Sequence, residues 1–340
     1  MRPHWHLSIV VLLCLTTAAS AQTLLVGNKS DDTVDLIDLE SGESMATLPT
    51  GVGPHEIAVS PDGRTAVVSN YGDRETPGAS LTVVDVVERA VTGTIELGEH
   101  TRPHGLAWID HERLAVTAEG SRHLLVVDPS SGEILLAVET AQEVSHMVAV
   151  SAELDRAFVA NIGSGSVTVV DLAEGTKVVD LATGDGAEGI ALSADGGEVW
   201  VTNRADDTVS VIDAKSLEIE ASLECPGFPI RAALTGDGRL ALVSSARSGE
   251  VVAFDVATRA EVARTTLDLA AIPDSQGRLF GDQFGDSPVP VGLVISPEGD
   301  TAWEAPTHDD VAVAIDPDTL EDEGMLDGGR EPDGMAYSPH

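Results

Sequence analysis

The chain has 340 residues, of which 57 are Asp or Glu and 19 are Lys or Arg, giving a formal net charge of −38. Because 42% of the residues are hydrophobic, this acidity belongs to a folded chain, since disordered chains combine high charge with low hydrophobicity. No Lys- or Arg-rich run occurs, and the lysines are Lys29, Lys177 and Lys215, so binding to nucleic acid or to an anionic membrane surface is not expected.

The first 21 residues have the organisation of a secretory signal peptide. Arg2 gives a basic start, residues 7–15 are apolar, and residues 19–21 form an Ala-Ser-Ala cleavage site. We therefore expect a mature chain that begins at Gln22 and a periplasmic or secreted protein. No later stretch approaches the roughly 20 apolar residues of a transmembrane helix. Cleavage leaves Cys225 as the remaining cysteine, which excludes an intramolecular disulfide and predicts a small packed residue.

A motif of the form Pro-x-Gly/Glu-Ile/Leu-Ala-x-Ser-Pro-Asp-Gly recurs seven times along the chain. Its copies begin at Pro54, Pro103, Ser145, Ala187, Pro229, Pro290 and Pro332. The spacings are 49, 42, 42, 42, 61 and 42 residues, so the unit has 42 residues and two copies carry insertions of 7 and 19. Self-similarity at a fixed period of this length is typical of propellers and solenoids.

Each unit contains four short strand patterns and no helical period. The motif is followed by an apolar run such as residues 198–203, an alternating run such as residues 208–213, and a weaker run such as residues 218–223. Runs of five or six residues rich in Val, Ile and Thr, separated by Gly, Asp and Asn, indicate β-strands. Four antiparallel strands per unit predict an all-β fold, a seven-bladed β-propeller that forms one domain over residues 22–340.

An Asp ends the third strand of every unit. These residues are Asp38, Asp85, Asp128, Asp171, Asp213, Asp255 and Asp316. An Asp at a strand end hydrogen-bonds its own following backbone and starts a tight turn. We therefore expect seven turn residues and not a ring of ligands.

The two ends of the chain are complementary parts of one blade. Residues 22–53 supply three strands without an innermost one, and residues 332–340 supply one innermost strand without its blade. We predict that the C-terminal strand completes the N-terminal blade, because this closes the ring and leaves no long sheet edge open.

Several short motifs make the chain resemble the YVTN-type β-propeller repeat proteins of bacteria and archaea. They are Ala160-Asn161, Val201-Thr202-Asn203, the Val-x-Val-Val/Ile-Asp runs of the third strands and the Pro-His starts of the innermost strands. The resemblance covers essentially the whole mature chain and implies the propeller fold, but it implies little about function. Similar proteins include surface-layer components, periplasmic proteins, and the propeller domains of haem d1 nitrite reductases and amine dehydrogenases. No Cys-x-x-Cys-His motif for covalent haem attachment occurs.

Both insertions are expected on one face of the disc. The first lies within residues 71–80, at about residues 74–80, and enlarges the loop between a second and a third strand. The second spans about residues 268–288 and enlarges a connection between blades. Long loops on one face of a rigid scaffold usually carry binding. Phe280 and Phe284 of the second insertion either form a recognition patch or anchor the loop to a blade.

The second residue of each motif opens an innermost strand and is expected to face the central channel on the insertion-bearing face. These residues are His55, His104, His146, Glu188, Ile230, Val291 and Asp333. The three histidines and Glu188 are ligand types for a divalent metal ion, and they are the candidate metal ligands. Glu56 and Arg231 lie close by as further candidates for ligand binding, and His308 is a candidate loop contact. The alternative is that the histidines are structural and hydrogen-bond the neighbouring blade.

The first functional hypothesis is an exported binding or scaffold protein that presents a ligand- or partner-binding face around the channel. The alternative is a metal-dependent lyase or lactonase-type hydrolase, because lactonases and streptogramin B lyases are seven-bladed and resemble this chain in placing His and Glu at a channel mouth. Ile230 and Val291 depart from that pattern. A second alternative, suggested by the family resemblance, is an accessory of a periplasmic quinone- or haem-dependent dehydrogenase. We expect a monomer whose partner is a protein or a small ligand and whose one candidate cofactor is a divalent metal ion in the channel.

Overall fold

The computed structural model describes residues 22–267, 269 and 277–340, so the predicted signal peptide and part of the second insertion lie outside the described residues. Within them, 28 β-strands form seven four-stranded antiparallel sheets, which confirms the predicted seven-bladed propeller. The strands are β1 (Thr23–Asn28), β2 (Thr33–Asp38), β3 (Ser44–Pro49), β4 (Pro54–Val59), β5 (Thr65–Gly72), β6 (Pro77–Asp85), β7 (Ala90–Glu96), β8 (Pro103–Trp108), β9 (Leu114–Ala118), β10 (His123–Val127), β11 (Ile134–Glu139), β12 (Ser145–Ser151), β13 (Arg156–Asn161), β14 (Ser166–Asp171), β15 (Thr176–Ala182), β16 (Ala187–Leu192), β17 (Glu198–Asn203), β18 (Thr208–Asp213), β19 (Ile219–Glu224), β20 (Pro229–Leu234), β21 (Leu240–Ser245), β22 (Glu250–Asp255), β23 (Ala260–Thr266), β24 (Pro290–Ile295), β25 (Ala302–Pro306), β26 (Val311–Ile315), β27 (Asp322–Asp327) and β28 (Pro332–Ser338). A short 3-10 helix covers Gly281–Phe284.

The sheets follow the chain in order and close into a ring through the first blade. Blade one has the strand order β28-β1-β2-β3, and blades two to seven each take four consecutive strands, with β4, β8, β12, β16, β20 and β24 innermost. The C-terminal strand β28 pairs antiparallel with β1, with Thr23 opposite Ser338 and Asn28 opposite Pro332. The predicted closure is confirmed, and every innermost strand begins at the first residue of a motif copy.

The seven Asp residues at the ends of the third strands form the turns that the repeat predicts. The Asp38 carboxylate accepts hydrogen bonds from the backbone N–H groups of Glu40 and Ser41 at 2.8 and 3.0 Å. The same bond to the following turn recurs at Asp85, Asp128, Asp171, Asp213, Asp255 and Asp316. Hydrogen bonds from Ser130 and Ser131 lower the pKa of Asp128 to about 2. These carboxylates therefore stabilise the turns to the fourth strands.

Asn residues at the ends of second strands organise the loops at the other end of the blades. The Asn161 side-chain amide donates to the Thr168 hydroxyl of the third strand at 3.0 Å. Asn70 and Asn203 make equivalent bonds to hydroxyl groups, and Asn28 donates to the Asp35 carboxylate at the same position. The Asn70 side-chain oxygen also accepts the backbone N–H of Gly51 at 3.0 Å, and a Cβ at Gly51 would lie 2.6 Å from Asn70 Cγ. Since Gly51 lies just before β4, this bond helps to fix where an innermost strand begins.

The hydrophobic core lies between neighbouring blades. The Trp200 ring of blade five faces Phe254 of blade six with ring centroids 6.3 Å apart, in a buried cluster with Val209, Val243 and Cys225. Full burial of one such side chain contributes roughly 1.5–3 kcal/mol. Burial raises the pKa of the Cys225 thiol to about 11, so Cys225 is a packed thiol and not a nucleophilic thiolate.

Candidate functional site

The channel mouth on the insertion-bearing face contains a recess of about 270 Å³. Six of the seven residues that the repeat phase predicted for the channel line this recess, together with the nearby candidate Arg231: His55, His146, Glu188, Ile230, Val291 and Asp333. His104 is fully buried, and its ring packs against the rings of His55 and His146. Glu56 is also buried and lies beside His55.

A second ring of residues, which the motif does not contain, reaches the same mouth. It consists of the residues that follow the Asn position of each second strand: Lys29, Tyr71, Glu119, Ile162, Arg204, Ala246 and Thr307. The backbone N–H of each one donates to the carbonyl oxygen of the residue just before an innermost strand, at 2.9–3.1 Å. The first five of them line the recess. In the sequence, these residues can be recognised by their position in the repeat, one residue after the Asn position. Their residue types share no pattern.

His55 and His104 face each other through their Nε2 atoms, which are 3.1 Å apart. On the other side of the His55 imidazole, Nδ1 lies 2.9 Å from Asp333 Oδ2, and Lys29 Nζ lies 3.1 Å from the same oxygen. Burial raises the pKa of Asp333, but the neighbouring His55 and Lys29 side chains outweigh burial and lower it. Burial lowers the pKa of His104 well below its ordinary value, so this imidazole is neutral. His104 Nδ1 has no hydrogen-bond partner within the described ranges.

His146 lies between two carboxylates. Its Nδ1 atom hydrogen-bonds Glu119, and its Nε2 atom lies 3.3 Å from Glu188 Oε1. The Tyr71 hydroxyl donates to Glu119 at 2.6 Å, and Arg204 donates to Glu188 at 2.5 Å. Burial lowers the pKa of His146, but the two carboxylates outweigh burial and raise it. Burial raises the pKa values of Glu119 and Glu188, and their cationic and hydrogen-bonding neighbours lower them overall.

An ion pair crosses the channel beside these histidines. Arg231 of blade six donates to Glu56 of blade two, and Glu56 Oε1 lies 3.8 Å from His55 Nδ1. Both side chains are buried. The mouth thus combines four carboxylates with three cationic side chains: Glu56, Glu119, Glu188 and Asp333 with Lys29, Arg204 and Arg231.

The second insertion supplies an apolar wall of the recess. Leu279 and Phe280 line the recess together with Val291. The Phe280 ring lies 4.8 Å from Phe284 and 5.7 Å from Phe228 of the blade six entry, measured between ring centroids. The aromatic cluster therefore anchors the insertion, and Phe280 also contributes to the recess.

His308 lies outside the recess and holds the second insertion in place. Its Nε2 atom lies 2.7 Å from the Leu279 carbonyl oxygen, and the residue is buried. Arg278 donates to Asp310 at 2.7 Å, and the Leu279 N–H donates to the Glu331 carboxylate. His308 is therefore a loop contact, whereas its sequence context is that of a solvated loop residue.

Much of the first insertion is strand and not loop. Strand β5 continues to Gly72 and β6 begins at Pro77, and these two residues pair across the hairpin. Asp73 and Arg74 at its tip line a depression of about 330 Å³ with residues 277–279 of the second insertion. Both insertions therefore lie on the same face, next to the channel mouth.

A larger groove of about 460 Å³ lies at the opposite end of the blades, between blades two and three. It is lined by Trp108 and by residues around Asp85 and Asp128, whose carboxylates bond their own turns. Of the described histidines, only His111 lines this groove. The channel mouth is the candidate site, because it combines apolar side chains with convergent charged and imidazole groups whose pKa values are shifted.

Comparison with known proteins supports the propeller assignment. Residues 107–271 match the model of the YNCE-like beta-propeller family. The chain is 25% identical to YncE of Salmonella typhimurium, described as uncharacterised, over 243 residues that make up 67% of each chain. YncE of Salmonella typhi matches to the same extent.

Solved structures with the same fold cover nearly the whole chain. A chain of Kuenenia stuttgartiensis hydrazine synthase matches with a TM-score of 0.69 and 18% identity, over 91% of this chain and 99% of that one. A protein of unknown function from Desulfotomaculum acetoxidans matches with a TM-score of 0.76 and 12% identity, over 93% and 98%. At these identities the similarity shows the fold alone.

Proposed function

We propose that this chain, a seven-bladed β-propeller of the YncE type, is an exported binding protein that holds a small ligand in the recess at its channel mouth. The observation that carries the proposal is the composition of the recess, in which charged and imidazole groups face the same space as Leu279, Phe280 and Val291. Ligand pockets combine an apolar lining with a few convergent polar groups in this way. The closed ring of blades supplies a rigid frame for these groups.

The recess favours a small amphipathic ligand. Its volume of about 270 Å³ lies just below the range of roughly 300–1,000 Å³ for ligand pockets. The Arg204 and Lys29 side chains remain 24% and 17% exposed, so their charges are accessible to an acidic or hydroxylated group. Phe280 and Val291 offer contact to an apolar body. In its broader form, the proposal is that the same face binds either a small ligand or a protein partner.

Export belongs to the proposal and is supported by the N-terminal sequence. Basic Arg2, the apolar residues 7–15 and the Ala-Ser-Ala site at residues 19–21 fit a cleaved signal peptide. No helix in the described part of the chain is long and apolar enough to cross a membrane.

A thermal-shift screen tests the binding proposal. The mature chain from Gln22 is screened against small carboxylic acids and polyols that carry an apolar group. A ligand at 100 times its Kd stabilises the folded state by about 2.7 kcal/mol and raises Tm. We expect the Arg204→Gln/Phe280→Ala double variant to lose this increase, measured from its own Tm.

Arg113→Gln is the matched control, because Arg113 pairs with Asp110 on the surface and lies outside the recess. We expect this control to keep the full shift. Compounds that raise Tm equally in the wild type and the double variant bind elsewhere and contradict the proposal.

The neighbouring imidazoles favour a second candidate function, a metal-dependent hydrolase or lyase. Neutral imidazole and carboxylate can hold an ion that activates water for attack on a carbonyl group. Within the described residues no feature specifically favours the dehydrogenase-accessory role, which therefore stays a prediction from the family resemblance.

A further inference from the structure

We propose that His55, His104, His146 and Glu188 bind one divalent transition-metal ion, Zn²⁺ or Cu²⁺, at the base of the recess. The proposal deepens the proposed function and rests on it, because the ion forms part of the same ligand-binding recess. The four residues occupy the same position of the innermost strand in blades two to five, so the ring places them side by side. Ligand atoms of His55, Glu56 and His104 lie within 4.8 Å of one another, as do those of His104, Glu119 and His146.

Two pairs of these ligand atoms have the spacing that one metal ion requires, whereas the His55 and His146 ring centroids are 6.3 Å apart and must come closer when an ion binds. With Zn–N bonds of about 2.0–2.1 Å, two nitrogen ligands lie about 2.9 Å apart at a right angle and about 3.3 Å apart at the tetrahedral angle. The two Nε2 atoms of His55 and His104 are 3.1 Å apart, and His146 Nε2 is 3.3 Å from Glu188 Oε1. The two pairs adjoin at His104, whose ring stacks on that of His146 with centroids 3.5 Å apart.

Carboxylates behind two of the imidazoles orient them toward the ion. Asp333 faces Nδ1 of His55, and Glu119 hydrogen-bonds Nδ1 of His146. At His55 a carboxylate on Nδ1 favours the proton there and leaves the lone pair of Nε2 for a metal, whereas at His146 the ion displaces the proton that the second carboxylate favours on Nε2. Both flanking histidines therefore present Nε2 toward His104 or Glu188.

His104 gives an independent indication that a ligand belongs here. Its Nε2 atom faces His55 Nε2, so direct contact between these atoms requires one proton to lie between two ring nitrogens. Its Nδ1 atom is buried and lacks a hydrogen-bond partner in the described part of the structure. An ion held by both Nε2 atoms removes the need for that shared proton, so the contact between the two imidazoles marks a ligand site.

The charges and donor types select the kind of ion. The carboxylates at the mouth outnumber its Lys and Arg side chains by four to three, which favours a cation. Imidazole donors suit Zn²⁺, Cu²⁺ and Ni²⁺, whereas Mg²⁺ and Ca²⁺ prefer sites made of oxygen. Zn²⁺ and Cu²⁺ are therefore the probes of choice.

Titration calorimetry of the chelator-treated mature chain with ZnCl₂ and CuCl₂ tests this site. We expect one ion per chain, and nitrogen couplings in the electron paramagnetic resonance spectrum of the Cu²⁺ form. His104→Gln should abolish the stoichiometric site. Asp333→Asn and Glu119→Gln keep all three imidazoles and should weaken binding by about 10- to 100-fold, as expected for groups that orient ligands.

His123→Gln is the matched control, because His123 and His100 form a partly exposed imidazole pair with centroids 4.8 Å apart, away from the channel. It should leave the stoichiometry unchanged. Binding that persists in folded His104→Gln, or that disappears in His123→Gln, overturns the proposal, and so does less than half an ion per wild-type chain. Should His104→Gln not fold, unchanged affinity in Asp333→Asn and Glu119→Gln overturns it.

The thermal-shift screen separates failure of the metal site from failure of the proposed function. It is run on the metal-free chain and repeated with Zn²⁺. If compounds bind but no metal ion does, the proposed binding function stands and the proposed metal site is wrong. If Zn²⁺ binds stoichiometrically but no compound raises Tm, the small-ligand proposal is wrong and the proposed metal site stands.

Discussion

Glu304 is the core residue that fits least with its surroundings. The equivalent residues of the other six blades are Val26, Val68, Val116, Val159, Val201 and Val243. The Glu304 side chain is fully buried, and neither carboxyl oxygen has a hydrogen-bond partner among the residues described. Burial raises the pKa of Glu304 well above its ordinary value, despite the opposing influence of Arg231. Burial therefore favours the neutral form of this carboxyl group.

Replacing Glu304 by Val is expected to stabilise the protein, and the gain is expected to grow with pH. An unsatisfied buried polar group costs about 1–3 kcal/mol, which Glu304→Val removes. Above pH 4.5 the acid ionises in the unfolded chain but stays protonated in the folded one, so the wild-type free energy of unfolding falls as pH rises. Denaturant unfolding at about pH 5 and about pH 8 measures both effects.

Glu304→Gln is the control for titration. It keeps the size and polarity of the side chain, so we expect it to lose the pH dependence without the full gain in stability. If the wild type and both variants show the same dependence on pH, Glu304 does not titrate in this way.

At the residue scale, the sequence predicts one half of the channel mouth. His55, His104 and Glu188 are predictable because each follows the first residue of a motif whose phase is constant. Glu119 and Arg204 are not, because they lie outside the motif and share no chemistry. A repeated backbone hydrogen bond, visible only in the folded ring, brings them to the mouth.

At the element scale, the C-terminal strand β28 has two roles. It pairs with β1 to complete the first blade, and it carries Asp333, which faces His55 and Lys29. The same strand therefore closes the ring of blades and supplies a residue of the candidate site.

Deletion of residues 332–340 is expected to abolish cooperative thermal unfolding. The loss exposes β1 as an edge and uncovers the apolar cluster around Leu24 and Trp303, to which Met335 contributes. Calorimetry of the truncated mature chain measures this. Removing residues 339–340 alone is the control, because β28 ends at Ser338, and it should keep one cooperative transition. A chain without residues 332–340 that melts like the full-length protein contradicts the closure.

The first insertion shows where sequence patterns are less informative than the fold. Gly72, Pro77 and Gly78 are turn-forming residues and predict a long loop. In the structure, β5 and β6 extend past Asn70 and keep pairing, so the hairpin is longer and the tip shorter. The pairing already established along the two strands outweighs the local preference of these residues.

At the scale of the whole molecule, the fold is predictable from the sequence because the repeat is nearly constant. The seven motif starts coincide with the starts of the seven innermost strands, and seven Asp residues form the expected turns. The net charge of −38 is distributed among such turns and the exposed strand positions, so it favours solubility over one docking site. The Arg231–Glu56 and His146–Glu119 ion pairs at the channel mouth join different blades, and no local pattern records them.

The most direct test of the proposed binding site is a crystal structure of the mature chain with the compound that gives the largest thermal shift. We predict electron density for the compound in the channel-mouth recess, with its polar end beside Arg204 and its apolar part against Phe280. Density for the compound in the groove beside Trp108 and Asp128, with the channel mouth unchanged, would contradict this.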